Sequence, residues 1–226
     1  MTTNDPLAPF RWLNVPESEG GGRLDVIFSV AFFRGLDPAG VVRRFSRDED
    51  AGRESDFAEL LAKACAFASG SGGGDGGGHV GVLPVGEWCV VIEPAGWMVT
   101  LHQVLPRLSA GCEVLAITRH DYAEHGFEYA IDGTIVTGYP PWQPYERHGS
   151  EPDRLDGFMR ELDLGLETPA AAKAAWDADW EAGYDTAVAR AFALAAKVTG
   201  VPFTEDLLDR PMLVAPFVRP LSGADG

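Results

Sequence analysis

Side chains able to bind a cation or move a proton crowd into one stretch of the chain, Arg119-His120-Asp121-Tyr122-Ala123-Glu124-His125. Two imidazoles and two carboxylates so close together are donor types that suit zinc or a similar cation. Their spacing works against them. His120 and His125 lie five positions apart, which places them on one face of neither a helix nor a strand. His120, Asp121, Glu124 and His125 are therefore metal candidates that a loop would have to assemble, and a solvated polar loop is the simpler account of them. His79, His102 and His148 stand singly, and only folding would join them.

Other chemical patterns are weaker. Glu87, Cys89 and Glu93 share a parity, so on a strand they line one surface. A reactive cysteine needs a base to make its thiolate, and no histidine lies near Cys89 in sequence, so an ordinary polar sheet face with a semi-buried thiol is expected. The tract 69–78, Ser-Gly-Ser-Gly-Gly-Gly-Asp-Gly-Gly-Gly, contains Gly72-x-Gly74-x-x-Gly77, formally the spacing of a dinucleotide loop. That fingerprint works when a strand enters the glycines and a helix leaves them, with the helix N-terminus at the pyrophosphate. Here a helix enters and a strand leaves. No Gly-Lys-Ser/Thr follows and no Gly-x-Ser-x-Gly elbow occurs, so no catalytic residue and no cofactor is assigned.

A second kind of site is a docking face. Trp176, Trp180 and Tyr184 recur every four residues, with Asp177, Glu181 and Asp185 beside them. Aromatics at that spacing usually face a core, but Trp and Tyr are also enriched where partners bind. From residue 161 to 185 there are seven acids and one lysine, a local charge of −6. Trp176, Asp177, Trp180, Glu181 and Asp185 are the partner-binding candidates.

Elements that must position these groups follow from periodicity. An apolar run at 26–33, rich in aromatic and β-branched residues, reads as a buried strand. Asp37 and Pro38 then start a short helix through Val41, Val42 and Phe45. A second helix is predicted from Ser55, capped by that serine with Glu59 nearby, its stripe made of Phe57, Leu60, Leu61, Ala64 and Ala68. The glycine tract 69–78 reads as a mobile loop. Trp88, Val90 and Ile92 alternate with Cys89, Val91 and Glu93 as a half-buried strand, and residues 97–99 read as its hairpin partner after Pro94-Ala95-Gly96. A short helix at 103–108 precedes strands at 113–118, 126–130 and 134–138, the last two joined by Asp132-Gly133. The remainder reads as helical, with a capping box at Ser150 to Asp153 and a long Ala-rich helix from about 169 to 198. The fold class is α+β: a central, mostly antiparallel sheet with flanking helices and a long C-terminal helix, in one domain over 1–226.

Composition narrows the partners. With 34 Asp and Glu against 18 Lys and Arg, the formal charge of −16 repels phosphate backbones and anionic lipids, so neither nucleic acid nor membrane is an expected partner. No apolar stretch approaches the roughly 20 residues of a spanning helix. The N-terminal residues lack a signal-peptide pattern, and three scattered cysteines suit a reducing compartment, so a cytoplasmic location is expected.

The runs Phe33-Arg34-Gly35-Leu36-Asp37-Pro38, Gly86-Glu87-Trp88 through Glu93-Pro94-Ala95-Gly96-Trp97, and Phe127-Glu128-Tyr129-Ala130-Ile131-Asp132-Gly133 resemble the actinobacterial family known as domain of unknown function 6461. Residues 148–153 and 194–201 also fit, so the resemblance covers about residues 10–218. Arg119-His120-Asp121 departs from the Arg-Asn-Val-like turn of that family, so the resemblance lends the histidine cluster no support. It implies no activity, and no catalytic residue carries over.

The expected function is a non-catalytic protein-binding module, of the inhibitor or immunity type, steered by its charge to a basic protein. The alternative is a metal-dependent hydrolase or other enzyme with a site near His120 and His125.

Overall fold

The computed structural model describes residues 5–14, 22–24, 26–46, 50–71, 76–120, 125–164, 170 and 180–217, and for residues 180–185 the backbone alone. Eight strands form one sheet: β1 (Phe28–Arg34), β2 (Arg53–Ser55), β3 (His79–Val85), β4 (Trp88–Pro94), β5 (Glu113–Arg119), β6 (Gly126–Ile131), β7 (Thr134–Tyr139) and β8 (Met212–Pro216). Their order is β2-β8-β3-β4-β1-β5-β6-β7, and every neighbouring pair is antiparallel. The helices are α1 (Pro38–Ser46), α2 (Phe57–Ser71), α3 (Leu105–Ser109), α4 (Asp156–Glu161) and α5 (Trp180–Thr199). The α+β class is the one expected.

Both faces of the sheet are covered. On one, Phe28, Val30, Phe32, Val90, Ile92, Leu115, Ile117 and Phe127 pack with α5 residues Val188, Phe192 and Leu194 and with Leu60 of α2. On the other, Phe33, Val82, Cys89, Val91, Val114 and Ala116 pack with α1 (Val41, Val42, Phe45), α3 (Leu105, Leu108) and the turn residues Met98 and Val99. This double cover corrects the half-buried reading of β4: the alternation sorts its side chains correctly, but all seven of its residues are buried because the strand lies mid-sheet. Among the described residues no helix is long and apolar enough to cross a membrane.

Several elements differ from expectation, each for a local reason. Residues 97–99 are not a strand. The 3-10 helix Met98–Thr100 forms instead, because the Glu93 carboxylate takes the Met98 and Val99 N–H groups that a hairpin would have used. The N-terminus of α2 is capped by Asp56, whose Oδ1 accepts the Glu59 N–H at 2.8 Å, while Ser55 donates its hydroxyl to the Glu59 carboxylate. The C-terminal part is not wholly helical, since β8 inserts between β2 and β3. Of the glycine tract, 69–71 continue α2, 76–78 are buried, and 72–75 lie outside the described residues. The Asp132-Gly133 turn is as expected: both residues have positive φ, 47° and 77°, the conformation a two-residue hairpin needs.

Candidate metal centre

β6 carries the sequence Phe127-Glu128-Tyr129-Ala130, and its pleat sends Phe127 and Tyr129 into the core under α5 and Glu128 to the opposite face. There, cross-strand register lines up Ala116 of β5, Glu128 and Gly138 of β7. The row continues to His148, which forms a one-residue antiparallel bridge with Gly138: each N–H donates to the other's carbonyl, at 3.0 and 2.9 Å. A side chain at Gly138 would overlap both the Glu128 carboxylate and the His148 ring, so a glycine here lets the two reach each other across one strand. The third member, His102, arrives from above, on the connection between the Met98–Thr100 turn and α3.

The three converge tightly. One Glu128 oxygen, Oε1, lies 3.2 Å from His102 Nε2 and 3.1 Å from His148 Nε2, and Oε2 lies 3.3 Å from the latter. The ligating atoms all fall within 4.8 Å of one another, and the imidazole centroids are 5.1 Å apart. Burial grades across the cluster: the Glu128 side chain is 7% exposed, His148 39% and His102 62%. Glu128 is thus the floor, and His102 stands on the solvent side. Desolvation pushes the Glu128 carboxyl up to about 8. His148 is lowered, chiefly by desolvation and then by the nearby His102, against a hydrogen bond from its ring to the Glu146 backbone.

That backbone contact matters for the tautomer. A ring that donates one N–H to a carbonyl presents, when neutral, a lone pair at its other nitrogen. Nε2 of His148 then meets the Glu128 carboxyl across a shared proton or across a cation. A carbonyl that accepts from the far side of the ring and fixes its orientation is also the usual arrangement behind a metal-bound histidine.

Two imidazoles and one carboxylate are the protein ligands of several open-site hydrolytic zinc centres and of non-haem iron(II) oxygenases. With metal bonds of about 2.0–2.2 Å, ligand atoms of a tetrahedral site lie roughly 3.3 Å apart, close to the observed contacts between Glu128 and the two imidazoles. Three protein ligands leave coordination room for water.

The histidines singled out from the sequence behave differently. His120 and His125 do come together, but through structure: the His120 N–H donates to His125 Nδ1 at 3.1 Å, the His120 ring lies edge-on to Trp97, and burial pushes His125 down to about 4. Asp121 and Glu124 lie outside the described residues, as do Trp176 and Asp177. Trp180, Glu181 and Asp185 belong to α5, but nothing of their side chains is described, so the structure adds nothing to the docking-face reading. On β4, Cys89 donates its S–H to the Leu36 carbonyl at 3.3 Å, and burial pushes the thiol up to about 11. The surface it shares with Glu93 is core rather than a polar face, and Glu87 sits apart on the exposed β3–β4 turn.

The model of a family of unknown function (DUF6461) matches residues 6–219, and the chain belongs to that family. No curated protein and no solved structure matches it.

Proposed function

We propose, from the geometry alone, since membership of this family carries no activity with it, that the protein binds one divalent d-block cation through His102, Glu128 and His148 and uses it as a Lewis acid. The observation that carries this is a single buried carboxylate oxygen with an imidazole nitrogen on each side, over a glycine that makes the room. A cation there satisfies the Glu128 charge and the imidazole lone pairs at once. Its free positions take water, and a zinc-type ion lowers the pKa of such a water to about 7, which suits hydrolytic chemistry. This moves the enzyme reading away from His120 and His125.

A proton shared between Glu128 and the imidazoles fits the same distances, so metal content separates the two accounts. Purified protein, stripped with chelator and dialysed, is titrated with Zn²⁺ and with Co²⁺, the latter followed by its d–d absorption. One ion per chain is expected, lost in His148→Ala and in His102→Ala but retained in His120→Ala. Folded protein that takes up neither Zn²⁺, Co²⁺ nor Fe²⁺ at micromolar concentration overturns the reading and leaves a hydrogen-bonded cluster.

A further inference from the structure

His102 is the weak member of the centre. Its side chain is 62% exposed and sits on a connection between two short helices, yet it is held over a buried acid. Histidine on an exposed turn has several rotamers and a mobile backbone, and such freedom lowers affinity unless the flanking chain is fixed.

The flanks are fixed from below. Glu93, at the end of β4, accepts the Met98 N–H at 3.1 and 3.2 Å and the Val99 N–H at 3.3 Å. Its cross-strand partner Ser29 donates to the Gly96 carbonyl at 3.0 Å and shares a 2.7 Å hydrogen bond with Thr118. Thr118 in turn bonds the hydroxyl of Thr100 at 2.8 Å. Thr100 stands over Gly126, the residue paired with Thr118 and the last before Glu128 on that face of β6. On the far side of His102, the Val104 and Leu105 N–H groups both donate to the Leu101 carbonyl, and both side chains are buried.

We propose that the hydroxyl of Thr100, anchored through Thr118 and Ser29, is a positioning group for the metal centre, fixing the turn that delivers His102 to Glu128. This rests on the metal-centre reading. The Thr100 hydroxyl bonds Thr118 and, at 3.3 Å, the Trp97 carbonyl of its own turn, so its effect passes through the placement of His102.

Two measurements test it in Thr100→Val, which keeps the volume and deletes the hydroxyl. In the Co²⁺ titration, affinity is expected to fall about 10- to 100-fold, the range seen for groups that orient a ligand without touching the metal. The d–d spectrum should shift towards that of His102→Ala, and Thr100→Ser should restore both. In metal-free protein, the His102 ring resonances, assigned by their loss in His102→Ala, should move to the positions of a free histidine in Thr100→Val and return in Thr100→Ser. Thr100→Ala replaces the valine variant should the latter not fold. Wild-type affinity together with unmoved His102 resonances in a folded variant overturns the proposal. If the wild-type protein binds no Co²⁺, the metal reading has failed, and the metal-free resonances alone then decide whether Thr100 positions His102.

Discussion

Two carboxylates on the same face of the sheet, Glu93 and Glu128, have been pushed by burial to the same place, about 8. Each also has a glycine against it, Gly96 for the first and Gly138 for the second, where a side chain would overlap the acid. What separates them is the kind of atom they face. Glu93 is fully enclosed and its oxygens receive the backbone N–H groups of Met98 and Val99, which is how a turn is held. Glu128 faces two imidazole nitrogens, one of them on an exposed side chain, so it has both ligand chemistry and a way out to solvent. A raised carboxyl therefore reports burial at both places, and only the partners tell a structural acid from one that can hold a ligand.

The largest expected effect that this comparison yields concerns stability against pH. Unfolded, Glu93 titrates at 4.5; folded, at about 8. Between those values the unfolded chain has released the proton and the folded one has not, so the contribution is complete below about pH 4.5 and is lost as pH rises towards 8. The difference between 4.5 and about 8, in which burial already outweighs the Met98 and Val99 donors, sets an upper bound of roughly 5 kcal/mol. Denaturant melts of Glu93→Gln between pH 5 and 8 should show a flatter profile than wild type. An unchanged slope would mean that Glu93 is already ionised in the folded protein, with its N–H donors outweighing burial.

Next in size is the difference in metal affinity between the two acids. Glu128→Gln removes a direct, charged ligand and should weaken Co²⁺ binding by more than the roughly 100-fold that outer groups reach, about 2.7 kcal/mol. Glu93→Gln alters only the turn that precedes His102 and should cost about tenfold. Equal losses in the two variants, measured by the same titration, would erase the distinction between them.

The sequence carried much of the framework and little of the centre. Strands β5 to β7 were legible because β-branched and aromatic residues run between turn signals, with Asp132-Gly133 fixing one hairpin. β3 escaped notice because Gly81 and Pro84 interrupt it; Gly81 is there since Met212 and Leu60 crowd its position. β8 pairs with residues far away in sequence, such as Val80 with Ala215, which no local pattern announces. The centre has the same difficulty: His102 and His148 lie 26 and 20 residues from Glu128 and meet only through sheet register and a crossing turn. Two faint signals were present, an acid inside the otherwise apolar run Phe127 to Ile131 and a glycine inside β7. The dense stretch from His120 to His125, by contrast, stands out through proximity along the chain; its Asp121 and Glu124 lie outside the described residues, and the contact described there is the His120 N–H donating to His125 Nδ1.

The effects of the two glycines should fall on different observables. In Gly138→Ala the new methyl meets the far ends of Glu128 and His148, and of these the His148 ring, 39% exposed, can swing towards solvent. The fold should survive, with a melting shift no larger than overpacking gives, while the row Glu128-Gly138-His148 loses its geometry and Co²⁺ affinity falls about as much as in Thr100→Val. In Gly96→Ala the methyl meets the Glu93 carboxyl, which is held in place by the Met98 and Val99 N–H groups and by the enclosing core. It cannot swing aside without breaking those hydrogen bonds, so about 1–3 kcal/mol should be lost from stability. Metal affinity should change less than in Gly138→Ala, since His102 is reached from Gly96 only through the turn. Thermal melts and Co²⁺ titrations on the two variants give four numbers, and the expected pattern is crossed: stability falls more in Gly96→Ala, affinity more in Gly138→Ala. If Gly138→Ala instead unfolds the protein and leaves no folded fraction to titrate, Glu128 is as firmly embedded as Glu93, and the contrast between a structural and a ligand-holding acid fails at its root.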